Sequence, residues 1–233
     1  MRYLALACDY DGTLAADSRV DEKTLAALER FLDSGRKLIL VTGRQMDELL
    51  QVFPRINLFE RVVAENGALL YQPASREEKT LGDRPPEEFI KTLRERGVAP
   101  LSVGRIIVAT WQPYETTVVE TIREMGLELQ VILNKEAVMV LPSGINKANG
   151  LSAALSELGL LPHNTVGVGD AENDLAFLKL CGCAVAVANA LPMVKEQADF
   201  VTSGSRGAGV TELINQMIAS DLDELERQHS SEG

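Results

Sequence analysis

Two acids stand one residue apart near the start of the chain, in Asp9-Tyr10-Asp11-Gly12-Thr13, directly after the apolar run 4–8. A continuous apolar run of this length reads as a strand covered on both faces. The acids therefore fall at its carboxyl end, where open α/β sheets bind their ligands. Two carboxylates held together there repel unless a cation neutralises them. Gly12 lets the backbone turn sharply after the pair. A second cluster, Gly169-Asp170-Ala171-Glu172-Asn173-Asp174, also follows an apolar run. Ligands that offer only oxygen suit Mg²⁺, which keeps several waters and usually binds beside a phosphate. Asp and Asn also serve as helix caps and turn formers, so one cluster alone would decide little. Two at equivalent strand ends point to a cation site.

Two further positions supply what the acids lack. Thr42, at the end of the apolar run 38–41, offers a hydroxyl beside Gly43, whose backbone can approach an anion closely. Lys147, at the start of a helical segment, offers a fixed positive charge. Singly, Thr42 is an ordinary strand-end residue and Lys147 an ordinary solvated one. As a set, an Asp nucleophile, Mg²⁺, a hydroxyl and a Lys fit phosphoryl transfer, where catalysis is mainly positioning and charge stabilisation.

The elements that must carry these residues are legible in the periodicity. Asp21 can cap a helix in which Leu25, Leu28, Phe31 and Leu32 share a face, with Gly35 as its stop. The run 38–41 reads as a second strand, 46–53 has helical spacing and Pro54 ends it. Residues 61–64 and 68–71 flank Glu65-Asn66-Gly67 as strand, tight turn and strand. Strands alternating with helices predict a parallel sheet. From 72 to 142 the rhythm changes. Pro73, Gly82, Pro85 and Pro86 punctuate a polar connection. A helix over 87–96, a strand over 106–111, a helix over 114–125 and a hairpin pairing 129–133 with 137–141 around Asn134-Lys135-Glu136 follow. The first rhythm then resumes, with helices over 147–158 and 174–180, strands over 165–169, 183–188 and 199–202, and a last helix over 208–219. The expected fold is α/β, a discontinuous Rossmann-like core (1–75 and 143–220) with an inserted α+β module (76–142). Residues 221–233 read as a frayed or disordered tail.

Composition bounds the partners. Of 233 residues, 34 are Asp or Glu and 23 are Lys or Arg, a formal charge of −11. That balance argues against gripping a nucleic-acid backbone, which needs a basic footprint. No uncharged apolar stretch of about 18 residues predicts a spanning helix, and the N-terminus has no signal-peptide pattern. A cytoplasmic enzyme with no membrane partner is the expectation. Three Cys cannot build a disulfide framework. Cys8 lies in an apolar run and Cys181-Gly182-Cys183 lacks the second pair of a zinc site, so buried free thiols are expected. His163 and His229 lack metal-ligand spacing. Trp111 is expected in the core of the insert. Arg94, Arg96, Arg105 and Arg123 are candidates for an anionic substrate end, although most such arginines are solvated. The glycine-rich stretch 204–209 lacks the Lys-Ser/Thr of a P-loop.

Asp9-Tyr10-Asp11-Gly12-Thr13-Leu14, then Thr42-Gly43-Arg44, then Lys147, then Gly169-Asp170 with Asn173-Asp174 resemble the four ordered motifs of the haloacid dehalogenase-like hydrolases. The insert between the second and third motifs, preceded by Glu65-Asn66-Gly67-Ala68, resembles the α+β cap of the Cof-type (class IIB) branch. The resemblance spans about residues 2–213; Tyr10 is a mild departure where Leu or Met is frequent. It implies Asp9 as nucleophile and Asp11 as general acid and then general base. It implies Asp9, Asp11 (through its carbonyl), Asp170 and Asp174 as Mg²⁺ ligands. Thr42, Gly43, Arg44, Lys147 and Asn173 would bind the substrate phosphate, Lys147 would also restrain Asp9, and Asn66 would meet substrate beneath the cap. The implied function is a Mg²⁺-dependent phosphatase for a small phosphorylated metabolite, of sugar phosphate or phosphoglycolate type, acting through an aspartyl phosphate as a monomer or small homo-oligomer. A phosphomutase, which needs convergent cap arginines for a second phosphate, is the runner-up. A catalytically weak regulatory or binding protein comes next, although its usual mark, a missing acid, is not found.

Overall fold

A computed structural model describes residues 1–223 of the chain. The core is built in two passes. The first runs β1 (Ala5–Asp9), α1 (Glu22–Asp33), β2 (Lys37–Val41), α2 (Met46–Val52), β3 (Arg61–Ala64), β4 (Leu69–Gln72) and β5 (Glu77–Thr80). The insert is α3 (Glu87–Glu95), β6 (Ser102–Val103), β7 (Val108–Trp111), α4 (Glu115–Glu124), β8 (Leu129–Asn134) and β9 (Ala137–Pro142). The second pass is α5 (Lys147–Leu158), β10 (Thr165–Gly169), α6 (Leu175–Leu180), β11 (Cys183–Ala186), α7 (Pro192–Lys195), β12 (Phe200–Val201) and α8 (Gly207–Ser220).

The large sheet has the order β12-β11-β10-β1-β2-β3-β4-β5, parallel from β12 to β3 and antiparallel beyond. From β1 the chain steps one way to β2 and β3; after the insert it returns to β10 and steps the other way. Right-handed crossovers then put helices on both faces, which is why β1, β2 and β10 are apolar along nearly their whole length. Local signals agree with the packing: the Asp21 side chain accepts from the Thr24 amide at 2.9 Å and starts α1. The reversal of strand order opens a crevice at the carboxyl ends of β1 and β10, where such sheets hold ligands. Register sets its floor: Cys8 pairs with Val168 and Asp9 with Val41, so Thr42 and Asp170 come one residue beyond the row of Asp9 at the same end of the sheet.

The insert's own sheet, β6-β7-β9-β8, is antiparallel. Side chains alternate across it. Val138 and Val140 join Phe89, Ile90, Leu93 and Val118 under the two helices. Met139 and Leu141 face the other way and pack with Ile107 and with Ala68 of the core.

Four details depart from the sequence reading. Residues 77–80, read as part of a polar connection in the insert, form the edge strand β5 of the large sheet; all four are exposed, so no apolar alternation marked them. At the other end, Asp221 and Leu222 are packed and not frayed. The Asp221 carboxylate accepts from Arg36 at 3.0 Å and from the Tyr3 amide at 3.3 Å, and Leu222 is buried. The rest of the expected tail lies outside the described residues. Trp111 is 52% exposed, not in the insert's core. Cys8 is buried, whereas Cys181 and Cys183 are only half-buried, and the three form no disulfide among the described residues. Among the described residues no helix is long and apolar enough to cross a membrane.

Candidate active site

The floor of the crevice is ionic and largely buried. Lys147, the first residue of α5, is 1% exposed. Asn146 caps that helix by accepting from the Ala148 and Asn149 amides, which fixes where the Lys147 side chain begins. Its ammonium donates to Asp9 Oδ1 at 2.5 Å and to Asp174 Oδ1 at 2.6 Å. The close approach of α5 to the turn after β3 depends on Gly67, at φ +104, where a Cβ would stand 1.9 Å from the Asn146 carbonyl oxygen. The other oxygen of Asp174 accepts from the Asp170 and Ala171 amides at 2.8 and 2.9 Å, holding the loop after β10. Thr13 donates its hydroxyl to Asp170 Oδ1 at 3.1 Å. Gly12, at φ +88, completes the packing, since a Cβ there would lie 2.4 Å from Asp170 Oδ2.

Carboxylate oxygens of Asp9, Asp170 and Asp174 lie within 4.8 Å of one another. Three buried carboxylates face one buried ammonium, so the floor is short of positive charge. Burial, and after it the charge of Asp174, pushes the Asp9 carboxyl well above its ordinary value of 3.8, against the opposing pull of Lys147. The same two causes raise Asp170. For Lys147 burial disfavours the charge, but Asp174 and Asp9 outweigh it and hold the ammonium above its usual range. A hard divalent cation fits this oxygen-only set, because it supplies the missing charge without protonating the acids.

The other expected residues divide. Gly43, Arg44 and Asn173 line a cavity of about 460 Å³ between core and insert, together with Asp9, Asp11 and Asp170. Arg44 lies on Asp11, donating from Nε to Oδ2 at 2.6 Å and from Nη2 to Oδ1 at 2.7 Å, a bidentate pair. Its guanidinium is thereby tied to Asp11 on the cavity wall, a pairing that the motif alone does not reveal. Thr42 is buried and its hydroxyl accepts from the Arg44 amide at 3.1 Å, so it shapes this turn. Asn66 is buried beside the cavity rather than on its wall; it accepts from Asn173 Nδ2 at 3.0 Å. Asn66 Nδ2 and Asn173 Oδ1 are left buried and unpartnered among the described residues.

Two positions that join the insert to the core beside this site were not marked by the sequence. Lys135, in the β8–β9 turn, reaches across from the insert and donates to Asp170 Oδ2 at 3.0 Å. Glu65 is fully buried and accepts from three consecutive amides of the insert, Arg105 at 2.8 Å, Ile106 at 2.7 Å and Ile107 at 2.9 Å. An acid in a tight turn between two apolar runs was the available signal for Glu65. Nothing in a hairpin turn marks which of its residues will face a distant strand end.

Comparison with known proteins bears on the same residues. The family model of the haloacid dehalogenase-like hydrolases matches residues 6–109 and 113–214. The chain belongs to the haloacid dehalogenase-like hydrolases. The match takes in the crevice acids, Lys147 and all of the insert but residues 110–112. A phosphoglycolate phosphatase of Methanothermobacter thermautotrophicus is 32% identical over 222 residues, covering 92% of this chain and 98% of that protein. A haloacid dehalogenase-like hydrolase from Bacteroides thetaiotaomicron has the same fold, with a TM-score of 0.76 at 24% identity over 92% of this chain and 99% of that one. A sugar phosphatase of subclass IIB superposes with a TM-score of 0.74 at 20% identity, over 91% of this chain and 98% of that one.

Proposed function

We propose that this hydrolase is a Mg²⁺-dependent phosphatase of the cytoplasm that cleaves small phosphorylated metabolites, with phosphoglycolate as its substrate. The observation that carries the reading is the buried set of Asp9, Asp170 and Asp174 around Lys147, on the floor of a cavity roofed by the cap. The name of the relative from Methanothermobacter thermautotrophicus supports the choice of substrate.

Asp9 is the nucleophile: its carboxylate attacks phosphorus, the P–O ester bond breaks, and an aspartyl phosphate forms. Lys147 holds Asp9 in one rotamer and neutralises part of the charge that builds up on the phosphoryl oxygens. Asp11 protonates the departing alkoxide, then takes a proton from the water that hydrolyses the aspartyl phosphate. Arg44 fixes the Asp11 carboxylate between these steps, and Gly43 and Asn173 present the cavity wall nearest the phosphate. Asp9, Asp170 and the Asp11 carbonyl would hold Mg²⁺, with Asp174 positioning Asp170 through its two amide bonds. When bound, the cation would shield the phosphate's charge from the acids. The cap excludes bulk water and large substrates. A mutase would need converging cap arginines. Among the described residues Arg94, Arg96, Arg105 and Arg123 are all absent from the cavity wall, with Arg96 on Glu124 and Arg105 on Asp47 and Glu78. That favours hydrolysis over transfer.

Asp9→Asn tests the reading. Phosphate release from phosphoglycolate should fall by about a thousandfold or more while circular dichroism and melting stay those of a folded chain. Turnover that persists in pure variant protein would remove Asp9 from its role.

A further inference from the structure

Among the described residues, every cap residue on the cavity wall is uncharged except Lys135. Ser102, Trp111, Asn134 and Met139 offer hydroxyl, ring, amide and thioether; the core side already spends its cations, Lys147 on Asp9 and Asp174 and Arg44 on Asp11. Lys135 is different in kind. Its side chain is 53% exposed and crosses the cavity to Asp170, a carboxylate that a bound cation would share. A cation there would repel the ammonium and release it toward whatever anion lies beneath the cap. The backbone gives a second sign. Lys135 sits at φ +55 in the turn between β8 and β9, a left-handed conformation that Gly or Asn adopts more cheaply. A Lys at such a position, with its side chain turned to the site, is a functional candidate, because backbone strain of this kind is found where a site uses the side chain.

We propose that Lys135 is the specificity-determining cation of the cap, pairing with a single carboxylate on the part of the substrate that leaves. The proposal rests on the phosphatase reading of the same site. The charge count selects the chemistry. One ammonium with a neutral surround matches a monoanion, whereas a second phosphate would demand more donors. Reach selects the length. A carboxylate separated from the ester oxygen by one methylene must find its counter-charge close to the phosphate, and Lys135 already touches the carboxylate ring of that site. The class is therefore a short 2-phosphorylated carboxylic acid. A neutral sugar would leave the cation without a partner in a part-desolvated cavity, a cost that discriminates against it.

The test compares phosphoglycolate with 2-hydroxyethyl phosphate, in which an alcohol replaces the carboxylate, at saturating Mg²⁺. Lys135→Asn suits the left-handed backbone, so folding is retained, and it removes the ammonium together with its reach across the cavity. The ratio of kcat/KM for phosphoglycolate to that for 2-hydroxyethyl phosphate should fall about tenfold, mainly through KM, and Lys135→Arg should restore most of it. A fall smaller than about threefold overturns the assignment. So does an equal loss on both esters, which would mean that Lys135 acts through Asp170. A wild-type enzyme that hydrolyses 2-hydroxyethyl phosphate but not phosphoglycolate would sink this inference and leave the phosphatase reading standing. A folded wild type that releases phosphate from neither ester would sink both.

Discussion

The two walls of the cavity are built on opposite principles. The core wall concentrates charge: Asp9, Asp170, Asp174 and Lys147 are almost wholly buried, and nearly every oxygen among them is held by a named donor. The cap wall is neutral, with Lys135 as its exception among the described residues. Buried charges cost much to desolvate and hold their geometry only through mutual pairing, so the core wall is rigid and suits a reaction common to many substrates. A neutral wall is cheap to vary and can be re-cut by single substitutions, so it suits the choice among substrates. Chemistry and choice are thus separated by the cavity itself.

The largest way to break that contrast is to take the cation out of the core wall. Lys147→Met leaves Asp9 and Asp174 buried without their shared partner, and the folded state should lose about 3–5 kcal/mol, with phosphatase activity lost as well. Urea unfolding at neutral pH checks the size. The pH dependence checks the cause. Asp9 has its folded pKa raised above 3.8 already in the native protein. It therefore binds a proton more readily folded than unfolded, and acidification through that window favours the folded chain. The deficit of Lys147→Met should shrink from pH 8 towards pH 5. A deficit that stays constant would mean the loss is one of packing, not of charge.

The next largest effect lies where the two walls meet. Glu65 belongs to the core turn, yet its carboxylate serves three amides of the cap. Glu65→Ala strands those donors and should cost about 2–4 kcal/mol. Glu65→Gln keeps one accepting oxygen and should cost roughly half as much. Thermal melting measures both. If the alanine variant keeps its stability while kcat falls, Glu65 orients the cap without holding it, and the two walls are less firmly joined than their hydrogen bonds suggest.

Most of the core wall was legible in the sequence because its residues sit at places that one-dimensional patterns mark. Asp9 and Asp170 end apolar runs, and Lys147 opens a helix bounded by Gly159. Parallel pairing then brings those ends together with no further information needed. What sequence missed depends on three-dimensional partner choice. The bidentate pairing of Arg44 with Asp11 is one such choice, since nothing in the motif shows that the two side chains come within reach. The four cap arginines matched an anion-binding expectation, yet Arg96 and Arg105 are spent on carboxylates outside the cavity. Lys135, an ordinary turn residue in the sequence, faces Asp170 only because β8 and β9 tilt their turn over the crevice. Strand β5 went unread because the four residues of Glu77–Thr80 are polar and exposed, so only their pairing with β4 defines them.

Arg105 gives the smallest effect and the sharpest contrast with Glu65, because both join cap to core within one short segment. Its guanidinium donates to Asp47 at 2.6 and 2.9 Å and reaches Glu78 at 3.1 Å, but the pairs stand in solvent, with Asp47 63% exposed. Exposed ion pairs contribute at most about 1 kcal/mol, and salt screens them. Arg105→Ala should therefore lower stability by less than about 1 kcal/mol, and the difference should fade as salt rises. Arg105 holds the Asp47 carboxyl below its ordinary value of 3.8. The pair's contribution is then present above 3.8 and lost as pH falls below it, so variant and wild type should converge in acid. Arg105 is off the cavity wall, and KM for phosphoglycolate should not move. A raised KM at unaltered stability would put a second cation over the substrate. The cap wall would then no longer be neutral around a single lysine, and the argument for a monoanionic substrate would fall with it.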